Sequence, residues 1–211
     1  MTTHSLIWLF TIIVVFLFAP LVISQKDYEE CIRKELTEAS DWYGAEEVQV
    51  ILDRTNKIYD ATMVSSGLDP SIRKYFVKPT PSKELAPGVT LPAAMSPYAD
   101  RLMEYWGNLL HNIWLFCFRL SHSFSWLFYL APFLVAVFFD GLMTRKAKLA
   151  SFRYTSPTLY NLSWHLIIAM AAVSLVAFSV ITPINIFVYP IVLTGMGVLV
   201  RVVLSNIQHS A

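Results

Sequence analysis

Four apolar runs constrain the fold of this chain of 211 residues more than any other feature. The first, residues 5–23, contains no charged side chain, and similar runs cover about 125–143, 162–181 and 186–200. An α-helix rises about 1.5 Å per residue, so roughly 20 residues cross the hydrocarbon core of a bilayer. The runs therefore predict an all-α membrane protein with about four transmembrane helices and a helical extracytoplasmic segment.

Composition supports this class. Hydrophobic residues make up 55% of the chain, charged residues 15%, and the mean hydropathy is +0.52. Such values exclude an ordinary soluble domain. The two cysteines, Cys31 and Cys117, lie far apart and form no CxxC motif, so we expect unpaired thiols.

Residues 1–24 have two interpretations. Small residues before Gln25 would suit a signal peptidase. Against a cleaved signal peptide, this leader has no Lys or Arg, and its apolar run exceeds the usual 7–15 residues of such signals. A retained N-terminal transmembrane anchor is the favoured prediction.

Residues 25–108 differ in kind, because they hold 10 Lys or Arg and 14 Asp or Glu, a net charge of −4. Within 25–78, apolar spacing predicts one helix over about 27–42 and a second over about 45–64. Gly44 separates them, and we expect an antiparallel helix pair. Gly67 is the expected end of the second helix, followed by a turn at Asp69-Pro70.

Five of the 11 prolines fall in residues 79–97, which predicts an extended linker. Ser96-Pro97 is then a predicted helix start. Residues 98–124 form a predicted amphipathic helix whose apolar face includes Trp106 and Trp114. Its polar residues, Asn108, Asn112, Arg119 and His122 among them, are expected off that face, which favours a position at the membrane interface.

Residues 125–211 are predicted to form a three-span membrane domain with a kink at Pro132. Small residues at 194–197 would allow a close approach between helices. A basic loop at 144–160 carries Arg145, Lys146, Lys148 and Arg153 and no acid. The positive-inside rule places this loop in the cytoplasm. With four spans, both termini are then cytoplasmic and residues 25–108 are periplasmic.

Motifs for catalysis are missing from the sequence. It contains no GxxxxGK(S/T), GxGxxG, GxSxG or HExxH pattern. His111 and His122 would lie about 16 Å apart on one helix, too far to share a metal. We therefore expect no enzyme activity, no cofactor and no metal. The basic loop is expected to serve topology and to meet anionic lipid rather than nucleic acid.

Asp140 is the last acid in the chain and follows an apolar run. It is expected at the cytoplasmic end of a span, paired with Arg145 or a neighbouring cation. A functional alternative makes Asp140 the working acid of a small transporter or ion-coupled protein. A lipid-modifying membrane enzyme has no supporting motif.

The stretch "DGLMTRKAKLASFRYTSPTLYN", residues 140–161, resembles a family of inner-membrane proteins of conjugative plasmids and integrative conjugative elements. That family is known mainly as a domain of unknown function. Its pattern of an apolar span, Asp-Gly-Leu, a basic stretch, Ser-Pro and an aromatic residue is matched here by Asp140-Gly141-Leu142, Arg145 to Lys148, Ser156-Pro157 and Tyr160.

This resemblance implies a part in conjugative DNA transfer through a type IV secretion apparatus. It also implies a partnership with the coupling ATPase, since family members are found near its gene. The predicted interaction surface consists of nine residues of the 140–161 stretch: Asp140, Gly141, Arg145, Lys146, Lys148, Arg153, Ser156, Pro157 and Tyr160. Their partners would be the lipid bilayer and other proteins of the apparatus, with no direct binding of nucleic acid.

Overall fold

The computed structural model describes residues 2–76 and 96–207, and regular secondary structure within these ranges is helical throughout. The helices are α1 Thr2–Val22, α2 Gln25–Tyr43, α3 Ala45–Tyr59, α4 Leu68–Phe76, α5 Ser96–Tyr129, α6 Ala131–Ala150, α7 Pro157–Ser179 and α8 Val188–Ser205. A π-helical turn, Asp60–Val64, follows α3 directly. The predicted all-α class is confirmed. Except for Ser96 and Pro97, the predicted linker 79–97 lies outside the described residues.

The helices divide into two compact units. The N-terminal unit consists of Ile13–Leu120 and Phe178–Pro183. The C-terminal unit consists of Met1–Ile12, Ser121–Ala177 and Ile184–Ala211. Three helices, α1, α5 and α7, contribute residues to both.

Helix α2 begins and ends on clear local signals. Asp27 donates its N–H to the Ser24 hydroxyl at 3.4 Å, and Ser24 donates its own N–H to the Asp27 carboxylate at 3.2 Å. This reciprocal capping box satisfies donors that a helix start leaves free. Gly44 then separates α2 from α3 with a φ of 84°, which favours glycine. The predicted helices on either side of Gly44 are confirmed, and they pack together around Cys31 and Ile51.

Gly67 closes the following helical segment with a φ of 77°, as predicted. The turn predicted at Asp69-Pro70 is wrong, because α4 begins at Leu68 and holds both residues in its first turn. Proline is tolerated there, since the first N–H groups of a helix have no helical acceptor. Buried Asp69 accepts hydrogen bonds from the Tyr59 hydroxyl at 3.0 Å and from Arg73.

Side chains of α5 bond to the backbone of α1. Pro20 has no N–H, so the Phe16 carbonyl one turn earlier lacks its usual helical donor. Asn112 donates its side-chain amide to that carbonyl at 3.3 Å. Asn108 donates to the carbonyl of Ile23, just past the end of α1, at 2.8 Å. Both asparagines are buried, so α5 supplies the donors that this part of α1 lacks.

Helix α5 contains residues that the sequence analysis assigned to two elements, the interfacial helix 98–124 and the span that begins at about 125. It runs without interruption through the predicted interfacial helix 98–124 to Tyr129, and α6 begins at Ala131 with its axis turned by 64°. Pro132 lies in the first turn of α6, where its missing N–H costs no hydrogen bond. A bend close to Pro132 is therefore confirmed. The break between α5 and α6 falls inside the predicted span 125–143, whose bounds in a membrane stay a prediction.

Helices α7 and α8 are each long and apolar enough to cross a membrane. The bent pairs α1–α2 and α5–α6 raise the number of candidate spans to four if each pair counts as one. The predicted number of about four transmembrane helices is therefore at the upper end of the range of two to four candidate spans. Helix α8 continues past Arg201 to Ser205, which gives it the length that the run at 186–200 lacked.

Candidate functional site

The basic segment is helical for most of its length. Arg145, Lys146 and Lys148 were expected in a loop over 144–160, but α6 continues to Ala150 and α7 starts at Pro157. The loop prediction is wrong because 144–150 is rich in Lys, Ala, Leu and Arg, which are strong helix formers. Cations also suit the C-terminal end of a helix, where the helix dipole is negative. Only residues 151–156 connect the two helices.

Asp140 of α6 forms an ion pair with a residue of α8. Its carboxylate accepts a hydrogen bond from the Arg201 guanidinium of α8, and both side chains are about half exposed. The expected partner, Arg145, lies five residues further on, which is about 140° around the helix. The cation that neutralises Asp140 is therefore Arg201 of α8 and not Arg145 of the same helix.

Two glycines let α6 and α8 approach closely. A Cβ on Gly141 would lie 3.0 Å from the Leu204 Cβ and 3.1 Å from the Arg201 carbonyl oxygen. A Cβ on Gly197 would lie 2.8 Å from the Leu134 side chain. Gly141 therefore requires the smallest residue, because its neighbours include backbone atoms of Arg201, whereas at Gly197 the end of the Leu134 side chain would have to shift. The predicted role of the small residues at 194–197 in helix approach is confirmed.

The ends of α6 and α8 meet at Asn206. Lys148 donates from Nζ to the Asn206 side-chain oxygen at 2.9 Å and to the Ser205 carbonyl at 3.0 Å. The same Asn206 oxygen accepts the backbone N–H of Ser156 at 3.2 Å. This cluster joins the end of α6, the start of α7 and the end of α8. We call the contacts from Asp140–Arg201 to Lys148–Asn206 the α6–α8 seam.

The start of α7 lies five residues before the predicted span at about 162–181 and is formed by Ser156 and Pro157. Ser156 accepts the N–H of Leu159 on its hydroxyl at 3.3 Å, and Pro157 is the first residue of the helix. A serine cap followed by proline is a favoured helix start. Tyr160 is half-buried one turn into α7.

The nine predicted interaction residues thus fall into two groups. Five hold the helices or the link in place: Asp140, Gly141, Lys148, Ser156 and Pro157. The remaining cations form no ion pair within the described residues: Lys146 and Arg153 are exposed, and Arg145 is half-buried. These three, with Tyr160, stay a predicted interaction surface.

A buried ion pair in the N-terminal unit was missed by the sequence analysis. Arg119 was placed on a polar, interfacial face, yet it is fully buried. It donates from Nε to the two Glu35 carboxylate oxygens at 3.1 and 3.2 Å and from Nη2 to Oε1 at 2.5 Å. Glu35 lies on the buried face of α2, four residues after buried Cys31.

Arg119 also binds the backbone at the end of α7 and just beyond it. Its guanidinium donates to the carbonyls of Phe178, Val180 and Thr182 at 3.0, 2.7 and 2.8 Å. These carbonyls lie where the chain leaves the helix, so they have no donors further along it. One signal was available in the sequence, since Asn108, Asn112 and Arg119 are spaced four and seven apart and share one face of α5.

The described residues bring no three metal-ligating side chains together.

Residues 23–210 match a protein family described as "IncC plasmid conjugative DNA transfer protein DtrJ-like". The match extends far beyond the 140–161 stretch and confirms the resemblance to a conjugative-transfer family. No curated protein and no solved structure matches the chain significantly.

Proposed function

The chain belongs to the DtrJ-like family of IncC plasmid conjugative DNA transfer proteins, and from this we propose that it is a non-enzymatic inner-membrane component of the conjugation apparatus. The family implies a role in conjugative DNA transfer. The match over residues 23–210 is the observation that carries the proposal. The membrane location, the accessory role in type IV secretion and the partner are our additions.

Support for the membrane location comes from apolar surfaces that water would not favour. Phe139 on α6, Val173 on α7 and Ile191 on α8 are 55%, 55% and 68% exposed. Together with the length of α7 and α8, such surfaces fit a lipid environment.

The orientation follows from the cations at the end of α6. The positive-inside rule favours the cytoplasm for Arg145, Lys146, Lys148 and Arg153. The contact of Lys148 with Asn206 brings the ends of α6 and α8 to one level, which supports a C-terminus on the same side of the membrane. Helix α7 must then cross back between them, which leaves residues 25–108 in the periplasm.

The coupling ATPase is the proposed partner, and Arg145 and Lys146 are the proposed contact. Both cations lie near the cytoplasmic end of α6 and have no acidic partner within the described residues. They are therefore available to an acidic surface of another protein. Lys148 is excluded from this role because it is engaged in the seam.

Donor cells test the function. Deleting the gene should abolish or sharply reduce plasmid transfer, and the intact gene supplied in trans should restore it. Undiminished transfer from the deletion strain contradicts the proposal.

The contact is tested by Arg145→Gln with Lys146→Gln. We expect this variant to accumulate normally, to transfer poorly and to lose co-purification with the coupling ATPase. The matched control, Lys26→Gln with Lys57→Gln, removes the same charge from exposed positions on α2 and α3. Equal co-purification of both variants would exclude Arg145 and Lys146 as the contact.

A further inference from the structure

The link between α6 and α7 begins with a phenylalanine in a conformation that usually belongs to glycine. Phe152 has a φ of 52°, and no other non-glycine residue in the described part of the chain has a positive φ. The left-handed region is disfavoured by any side chain with a Cβ. A bulky residue held there needs a reason.

The hydrogen bonds around Phe152 define why the backbone turns here. The N–H of Arg153 donates to the Lys148 carbonyl at 2.9 Å, and the N–H of Phe152 donates to the Leu149 carbonyl at 3.3 Å. This pair of bonds is the Schellman cap of a helix C-terminus, in which the left-handed position is normally a glycine. Phenylalanine therefore replaces the residue that the cap itself favours.

Packing does not compensate for the unfavourable conformation. The Phe152 side chain is 98% exposed, and Tyr154 two residues later is 79% exposed. Arg153 between them is exposed as well. The cap thus projects two aromatic rings and one cation away from the protein.

We propose that Phe152, Arg153 and Tyr154 form a membrane-binding tip that inserts its rings into the headgroup zone and binds an anionic phospholipid. The Arg153 guanidinium would take the lipid phosphate, for which its planar set of donors is well suited. The inference rests on the proposed function only for the placement of α6 and α7 in a bilayer.

Lipid is favoured over protein by the position of the tip. Residues 151–156 are too few to move away from α6 and α7. With both helices in the bilayer, as the proposed function has them, the tip lies at the level of the headgroups. Aromatic rings concentrate at this level. From residue 141 to the end of the sequence there is no acid to oppose an anionic lipid.

The test uses the full chain in nanodiscs made of equal parts of phosphatidylcholine and phosphatidylglycerol. Phe152→p-benzoylphenylalanine keeps an aromatic ring and forms a covalent adduct with its neighbour under ultraviolet light. Mass spectrometry should find phospholipid adducts, with phosphatidylglycerol exceeding phosphatidylcholine by about fivefold. Adding Arg153→Gln should bring this ratio close to one.

The same photoprobe at Phe139, an exposed residue of α6, separates the two proposals. Lipid adducts at Phe139 but not at Phe152 overturn the tip and leave the membrane location intact. Adducts at neither position overturn both. A discrete protein adduct at Phe152 in donor-cell membranes assigns the tip to a protein partner and also overturns the inference.

Phe152→Gly provides a variant that must fold, because glycine suits the cap. We expect it to unfold at the same or a higher temperature than the wild type. It should also lose the greater thermal stabilisation by phosphatidylglycerol over phosphatidylcholine in detergent. Unchanged lipid dependence would contradict the role of the phenylalanine ring.

Discussion

Arg119 and Glu35 form an ion pair in which neither side chain reaches solvent, with side-chain exposures of 0% and 3%. Desolvation of two charges is costly, so such a pair is tolerated only when its remaining donors are satisfied. Three backbone carbonyls, one at the end of α7 and two just beyond it, satisfy those of Arg119. The pair thus joins α2, α5 and the 178–183 segment of the N-terminal unit.

Removal of Arg119 alone should be strongly destabilising. Arg119→Met leaves a buried carboxylate without its cation, and we expect a loss of about 3–5 kcal/mol in the free energy of unfolding. In the double variant, Arg119→Met with Glu35→Met, the loss in the free energy of unfolding should be smaller than the sum of the losses in the two single variants. Chemical denaturation of the detergent-solubilised protein, followed by circular dichroism, measures both.

Lys34→Gln is the matched control, because Lys34 forms an exposed ion pair with Glu30 at 2.7 Å. An exposed pair contributes about 0.5 kcal/mol or less. If Arg119→Met were no more destabilising than Lys34→Gln, the buried pair would have no structural role.

A methyl group on Gly141 or Gly197 should weaken the contact between α6 and α8. We expect Gly141→Ala to cost about 1–3 kcal/mol, since the added Cβ meets the Leu204 Cβ at 3.0 Å and backbone atoms of Arg201. Gly197→Ala should cost less, because the Leu134 side-chain end at 2.8 Å can move away. Thermal unfolding of the purified protein measures the loss. Gly107 in α5 has open space at its Cβ position, so Gly107→Ala should be neutral or stabilising by up to about 1 kcal/mol. Equal effects at all three positions would show that helix propensity, and not the close approach, determines the result.

Substitution of Asp140 distinguishes the seam from the transporter alternative. Asp140→Asn leaves Arg201 without its partner, so we expect less folded protein by fluorescence-detected size-exclusion chromatography. The charge swap, Asp140→Arg with Arg201→Asp, should restore part of the yield, because it restores an ion pair. A folded Asp140→Asn variant with altered pH-dependent ion flux in vesicles would instead favour the transporter.

Tyr59 gives the protein a specific sensitivity to alkaline pH. Burial raises the pKa of Tyr59 from 10.0 to about 12, and the hydrogen bond to Asp69 adds to the effect. Because the folded pKa is the higher one, this stabilisation is complete below pH 10 and is lost as the pH rises to about 12.

Tyr59→Phe removes that dependence. The difference in unfolding free energy between wild type and variant should be constant from pH 7 to 9 and should then change by roughly 2–3 kcal/mol up to pH 12. Denaturation curves at several pH values measure it. A difference that does not change with pH would show that the Tyr59 hydroxyl is equally solvated in both states.

Sequence periodicity predicts where the helices of this chain lie better than it predicts the surroundings of their side chains. Gly44 and Gly67 identify helix ends because positive φ values favour glycine. Pro132 identifies a bend but not its role, since proline can either kink a helix or begin one. Which of the two Pro132 does depends on α5. The buried polar residues of α5 form hydrogen bonds, so this helix can continue to Tyr129 and Pro132 falls in the first turn of the next helix.

The contacts of the site depend on partners that are distant in sequence. Arg119 and Glu35 are separated by 84 positions, and Asp140 and Arg201 by 61. Each of these residues taken alone indicates a charge at a membrane surface, because an unpaired charge would be costly inside. Only the packing of the helices shows which charges neutralise one another.

The bond between Asn112 and the Phe16 carbonyl has a consequence for the order of synthesis. The acceptor leaves the ribosome 96 residues before its donor. Until α5 is made, the carbonyl that Pro20 frees must be satisfied by water or by another protein. We therefore expect the nascent α1 to remain associated with an insertion factor until α5 emerges, and Asn112→Leu should prolong that association.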